Sequence, residues 1–275
     1  MSGRMGLVPR ASLIVCLACA QAAGAGVVVR CVDAVSDRQI LLCTTAIENK
    51  FLNDAQRSQA YDNRGIAHAR EGWRERALAD FNEAIRLAPD NAVAYANRGN
   101  LHLNAGQFGR AIDDYAEGIR LAPTYAPLFA GRGAAYLRTG QLQEALLDLD
   151  VAARLAPGDP EIFNNRGTAY FNMGQIDFAI RDYTEAIRLE PSSGGIYYNR
   201  GNALAQANRM QEAVADLGEA IRLLPNHASA YYNRGVIYTQ LGDRKRAIAD
   251  MREALRLDPR HEGAKHGLMF FGAEP

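Results

Sequence analysis

Six times along the chain an arginine stands immediately before a glycine, and each time an aspartate follows that arginine by sixteen residues. The pairs are Arg64 with Asp80, Arg98 with Asp114, Arg132 with Asp148, Arg166 with Asp182, Arg200 with Asp216 and Arg234 with Asp250. A guanidinium holds its N–H donors in a planar fork that a carboxylate meets with two parallel bonds. On the antiparallel helices of a hairpin, residues at this interval can face each other across the seam. An Arg–Asp bridge within each hairpin is therefore expected, the arginine stem covering apolar surface. Binding an anionic ligand is the other chemistry open to these arginines, but an acid matched to each one speaks for structure. A second recurring arginine (Arg86, Arg120, Arg154, Arg188, Arg222 and Arg256) closes an apolar-periodic segment, where it suits the negative end of a helix dipole.

Other reactive side chains are few. Of the four cysteines, Cys16 and Cys19 lie in an apolar N-terminal stretch, leaving Cys31 and Cys43. An even pair in an exported chain implies a disulfide, which across so short a loop contributes about 3 kcal/mol. Redox catalysis would favour the closer C-x-x-C spacing. His261 and His266 have no acid or thiol at ligand spacing, so they read as surface or capping residues and no metal is expected. His68 and His102 occupy slots held elsewhere by Tyr136, Tyr170 and Tyr238, which makes them packing residues. No G-x-S-x-G, H-E-x-x-H, phosphate loop or Rossmann glycine run occurs, so neither an enzyme nor a cofactor is indicated.

The N-terminus carries its own signature. Arg4 and Arg10 precede the apolar "ASLIVCLACA" and the small-residue "QAAGAG". Such a sequence reads as a signal peptide over residues 1–25, which points to an exported, periplasmic or secreted protein. Membrane contact would enter only through a signal left uncleaved. The 275 residues carry 31 basic and 31 acidic side chains with no like-charge run, against a nucleic-acid partner. Within residues 26–57, Ser36 or Asp37 is placed to cap a helix through "RQILLCTTAIEN", which the disulfide would staple.

From about Ser58 to His261 the text repeats every 34 residues without insertion: 58–91, 92–125, 126–159, 160–193, 194–227 and 228–261. Each copy sets an aromatic residue four before a glycine (Tyr61 and Gly65, Phe129 and Gly133, Tyr231 and Gly235). A turn glycine follows, replaced once by Asn208, then a small alanine (Ala77 to Ala247 at the same period), and a closing proline from Pro89 to Pro259. The pattern resembles the tetratricopeptide repeat family over three quarters of the chain, with the family's leucine before glycine replaced by arginine in every copy. The resemblance implies an all-α fold, a right-handed superhelical solenoid of antiparallel helix pairs, each hiding its apolar face against the next. Residues 262–275 then form a short terminal helix whose Leu268, Met269 and Phe271 cover the last pair. "PSSGG" at 191–195 reads as the loosest link between copies.

In that family the residue two before the glycine faces the concave groove. The resemblance therefore assigns to the groove Asn63, Asn97, Asn165, Asn199 and Asn233, interrupted at Gly131. Beside them stand Asn100, Asn104, Asn164, Asn172, Asn202, Gln206, Gln240, Phe171, Tyr198 and Tyr232. A side-chain amide donates and accepts, so a ladder of amides can pair with an extended peptide backbone whatever its sequence. Solvated surface positions are the plainer account of the same residues. With Gln59, Asp62, Val93, Ala96, Pro127 and Ala130 on the inner wall and only Arg70 and Arg138 adding positive charge, a carboxylate clamp is not expected. The function implied is a non-enzymatic module that binds a protein or peptide in an Asn-lined groove. The alternative is an envelope scaffold working through its convex or terminal faces.

Overall fold

Apolar residues recur at helical spacing in runs of about a dozen, and residues that cannot prolong a helix close each run. The computed structural model describes residues 36–274, among which fourteen α-helices and no strand occur. They are α1 (Ser36–Glu48), α2 (Asp54–Arg70), α3 (Arg74–Leu87), α4 (Ala92–Asn104), α5 (Phe108–Leu121), α6 (Ala126–Thr139) and α7 (Leu142–Leu155). Then follow α8 (Pro160–Asn172), α9 (Ile176–Leu189), α10 (Gly194–Gln206), α11 (Met210–Leu223), α12 (Ala228–Gln240), α13 (Arg244–Leu257) and α14 (Glu262–Phe270). The leader-like residues 1–25 and Cys31 lie outside the described residues. Cys43 is on α1 and fully buried.

Side chains set the boundaries. Asn53 caps α2 with a reciprocal box, accepting from the Gln56 amide at 2.9 Å while its own N–H reaches Gln56 Oε1 at 3.1 Å. Asp159 accepts from the Glu161 amide at the start of α8, where Pro160 supplies a preset φ. The tight turns between paired helices need a left-handed residue: Gly140 has φ 78° and Asn208, the one non-glycine, φ 59°.

The chain divides into two compact units, one ending at Leu101 and one beginning at His102. In the first, α1 packs on α2 and α2 on α3. Buried Gln39 of α1 donates to the Asn63 carbonyl at 3.2 Å, and Arg64 Nη1 donates to Thr44 Oγ1 at 3.1 Å. Helix α1 thus seals the exposed flank of α2 by polar bonds as well as by Ala46.

In the second unit each of α6, α8, α10 and α12 packs on its own second helix and on the one before it, and α14 packs on α13. The first helices α6, α8, α10, α12 and α14 also touch in succession, whereas among the described residues the second helices α7, α9, α11 and α13 do not touch one another. The row of first helices is therefore the tighter, inner side of this unit. Its hairpins close through missing side chains. A Cβ on Gly167 would stand 2.9 Å from the Tyr183 ring and 3.3 Å from the Ala179 carbonyl, and Ala145, Ala179, Ala213 and Ala247 are fully buried. The neighbour pressed against each glycine is chiefly the bulky residue four after the alanine, namely Phe81, Leu149, Tyr183, Leu217 or Met251.

Gly194 of "PSSGG" is buried in the first turn of α10, where a Cβ would meet Leu223 and Leu224 of its own hairpin at 2.8–3.0 Å. One expectation changes. Of the three residues expected to cover the last pair, Leu268 is fully buried and Phe271 packs beside Met251 and Leu255, but Met269 is 63% exposed because it falls on the opposite side of α14.

Gly65 tests the packing rule. Its Cβ would stand 2.6 Å from Phe81, so Gly65→Ala is expected to cost about 1–3 kcal/mol despite alanine's better helix propensity. Gly109 has open space around it, and Gly109→Ala is expected to be neutral or to stabilise by up to about 1 kcal/mol. Urea unfolding of both variants checks the contrast.

Candidate functional site

The recurring Asn-Arg-Gly binds in three directions. In the first unit Arg64 donates from Nε and Nη2 to the two oxygens of Asp80 at 3.0 and 2.7 Å. In the second unit the same fork joins Arg132 to Asp148, Arg166 to Asp182, Arg200 to Asp216 and Arg234 to Asp250 at 2.6–2.9 Å. These aspartates are buried. Arg98 and Asp114 fall in different units. The third nitrogen reaches backwards: Arg166 Nη1 donates to Asp150 at 2.9 Å and Arg200 Nη1 to Thr184 at 3.1 Å, each on the preceding second helix. In the first unit Arg98 Nη1 likewise donates to Asn82 at 2.8 Å. Most of the guanidiniums also lie over the aromatic residue three before them, Arg166 at 5.4 Å from the Phe163 ring and Arg64 at 5.3 Å from Tyr61, whereas Arg132 lies over Tyr136. The second arginine series is exposed and pairs with the glutamate three residues earlier, as in Arg86 with Glu83 and Arg256 with Glu253. Arg154, with Val151 at that place, is the exception.

The asparagine before each arginine bonds sideways to the previous first helix. Asn199 Nδ2 donates to Asn164 Oδ1 at 2.9 Å, and Asn233 Nδ2 to both Tyr198 Oη at 3.1 Å and Asn202 Oδ1 at 2.8 Å. Asn199 keeps one N–H and its Oδ1, while Asn233 keeps only its Oδ1. The side chain of half-buried Asn165 makes no hydrogen bond among the described residues. Tyr232 is half-buried, and Asn172, Gln206 and Gln240 are exposed at the far end of the same helices. Asn202, Asn233 and Gln240 line one recess of ≈ 240 Å³ with Ala205, Val236 and Ile237. In the first unit Asn97 Nδ2 donates to both oxygens of Asp62 at 3.0 and 3.1 Å; Asn63 and Asn100 are half-buried, and Asn104, just past the division, is exposed.

Several features escaped the sequence reading. Gly131 interrupts the asparagine series because the Tyr115 ring fills that space, 2.5 Å from where a Cβ would stand. His227 and His261 cap α12 and α14 through Nδ1, accepting from Ala230 and Ala264, and their rings rest on Tyr198 and Tyr232 at 4.7 and 4.5 Å. Their equal spacing from those tyrosines was the signal available. Asp62 is buried, which pushes its carboxyl up to about 6, the Asn97 bond offsetting part of the shift. A larger recess of ≈ 790 Å³ borders α8 and α9, but Arg166 in it is held by Asp150 and Asp182, Arg209 by Glu212, and Arg181 lies over Phe178.

Comparison with known proteins agrees with this architecture. Tetratricopeptide repeat descriptions match residues 58–91, 81–113, 160–193 and 228–261, and a TPR repeat description matches 201–242, together more than half of the chain. The chain belongs to the tetratricopeptide repeat family, and its fold is the all-α solenoid of that family. It is similar to YrrB, described as a TPR protein with an unusual peptide-binding site, at 25% identity and TM-score 0.59, covering 69% of this chain and 97% of YrrB. It is similar in fold to a chain of the APC/C heterotetramer Cut9-Hcn1 at 19% identity and TM-score 0.73, covering 84% of this chain and 45% of that one. Pseudomonas aeruginosa pilF aligns at 17% identity and TM-score 0.70, covering 78% and 97%. No curated protein matches the sequence. A fold of this class is a protein–protein interaction module, with protein or peptide partners.

Two tests follow from the site. Arg200→Ala leaves Asp216 buried without its partner and is expected to cost about 3–5 kcal/mol, whereas Arg200→Met with Asp216→Leu restores most of the loss; chemical denaturation of both reads it. Asp62 has a folded-state value above its ordinary 3.8, so the stability it contributes is full below pH 3.8 and lost as pH rises through about 6. The loss is on the order of 3 kcal/mol. Asp62→Asn is expected to remove that part of the slope in melts between pH 4 and 7, and an identical slope in both proteins would refute it.

Proposed function

We propose that the chain is a non-enzymatic module which holds an extended peptide, or an extended segment of a partner, along the inner row of first helices α8, α10 and α12. The observation that carries this reading is the set of seam bonds at Asn199 and Asn233, which fix a line of amides and phenols in place before any partner arrives. Pre-organised polar groups lose little freedom on binding. Asn165, Asn199, Asn202, Tyr198 and Tyr232 offer donors and acceptors without formal charge, which matches a peptide backbone better than a charged tail. The peptide-binding site named for YrrB supports the same reading. Its compartment follows from the leader: we propose export to the periplasm or beyond, with Cys31 and Cys43 joined.

The test separates recognition from scaffold. Asn165 makes no seam bond, so Asn165→Ala alters the surface alone, whereas Asn199→Ala and Asn233→Ala also remove seam bonds worth about 1 kcal/mol each. A displayed library of random peptides panned against the full chain is expected to yield binders whose affinity falls at least about tenfold in Asn165→Ala/Asn199→Ala with helical content retained. Binders unaffected by these substitutions would move recognition to the outer or terminal faces.

A further inference from the structure

Resting on the groove reading above, we infer that the recess between α10 and α12 is a specificity pocket for one uncharged aliphatic side chain of the bound peptide. Its floor is apolar, made by Ala205, Val236 and Ile237, and its rim is Asn202, Asn233 and Gln240. No ionisable group lines it. A charged side chain entering would shed water and meet no counter-charge, an uncompensated cost. At ≈ 240 Å³ the recess falls below the roughly 300–1,000 Å³ of pockets that hold whole small molecules, and so suits a single side chain.

The rim is built to hold the main chain on either side of that side chain. Asn233 commits its Nδ2 to Tyr198 Oη and Asn202 Oδ1, which leaves Asn233 Oδ1 to accept and Asn202 Nδ2 to donate. One acceptor beside one donor is the complement of a peptide's N–H and C=O. The rim is braced from behind, since the His227 ring lies 4.7 Å from the Tyr198 ring while its Nδ1 caps α12. Between α8 and α10 the place of Asn202 is held by Thr168, whose hydroxyl turns to the Asn164 carbonyl and Tyr183 and away from any rim. The aliphatic preference therefore belongs to one position of the peptide.

The experiment pans a displayed random-peptide library against the full chain and measures the selected peptides by fluorescence anisotropy. Selected sequences are expected to share a Leu, Ile, Val or Met at one position, and its replacement by Ala to weaken binding by about 10- to 100-fold. Replacement by Asp or Lys weakens it further. Ala205→Leu fills the recess, and in that variant the same change to Ala is expected to alter affinity less than about twofold, with Val236→Phe as the second filler should the first fail to fold. An undiminished effect in the filled variants, or no aliphatic enrichment, overturns the pocket. If such peptides still depend on Asn165 and Asn199, the groove reading survives that loss. Peptides indifferent to both the fillers and the asparagines, or no binders at all, overturn the two together.

Discussion

A buried carboxylate cannot be left alone in a helical hairpin. The second helices α3, α7, α9, α11 and α13 each set an aspartate against the first helix of their pair, and a guanidinium fork meets it with two bonds at hydrogen-bond distance. The leucine usual to the family at that place would bury more apolar surface but could not satisfy the acid. Arginine also has a nitrogen to spare, and at Arg166 and Arg200 it fastens the hairpin to the one before. One side chain thus closes its own pair and sets the spacing to the next. The glycine after it lets the backbone approach, and the asparagine before it ties the inner helices. The arginine and asparagine carry bonds in three directions while the glycine lets the helices close, which is why the three recur together.

The consequence is a division of labour by charge. Formal charges sit at the hairpin seams and on exposed second-helix surfaces, where Arg188–Glu185 and Arg222–Glu219 pair locally. The inner row of the second unit carries mainly amides, phenols and small apolar residues. Asp62, in the first unit, is the buried acid that breaks this pattern, and it is held by an amide where an arginine fork would be expected. The two faces use polar groups differently: ion pairs at the hairpin seams and outer surfaces, neutral amide bonds between the inner helices.

The helix pairs, their turns and the family were legible because they rest on local rules: a period of 34, left-handed residues at fixed places and prolines after each second helix. The Arg–Asp seam was legible for the same reason, since the acid and base recur at one interval. What the sequence could not disclose came from side-chain direction. Asn199 and Asn233 read as either ligand groups or solvated positions, and nothing in their spacing revealed that they bond across to Asn164 and Tyr198. Gly194 read as slack because glycine suits both a hinge and a close contact, and nothing in its spacing revealed its contact with Leu224 of the same hairpin. Met269 was misplaced by one step around a short helix, enough to turn it from the core to water.

Tyr115 gives the inner row a finite length. Its ring stands at Gly131, where the next amide would have been, and burial holds its phenol neutral well above the ordinary range. The Tyr115 ring is itself fully buried, so at α6 a packed aromatic ring takes the space that an amide would occupy. The line of amides is thus bounded by packing: at α6 the side chain that would have prolonged it is exchanged for a neighbour's ring.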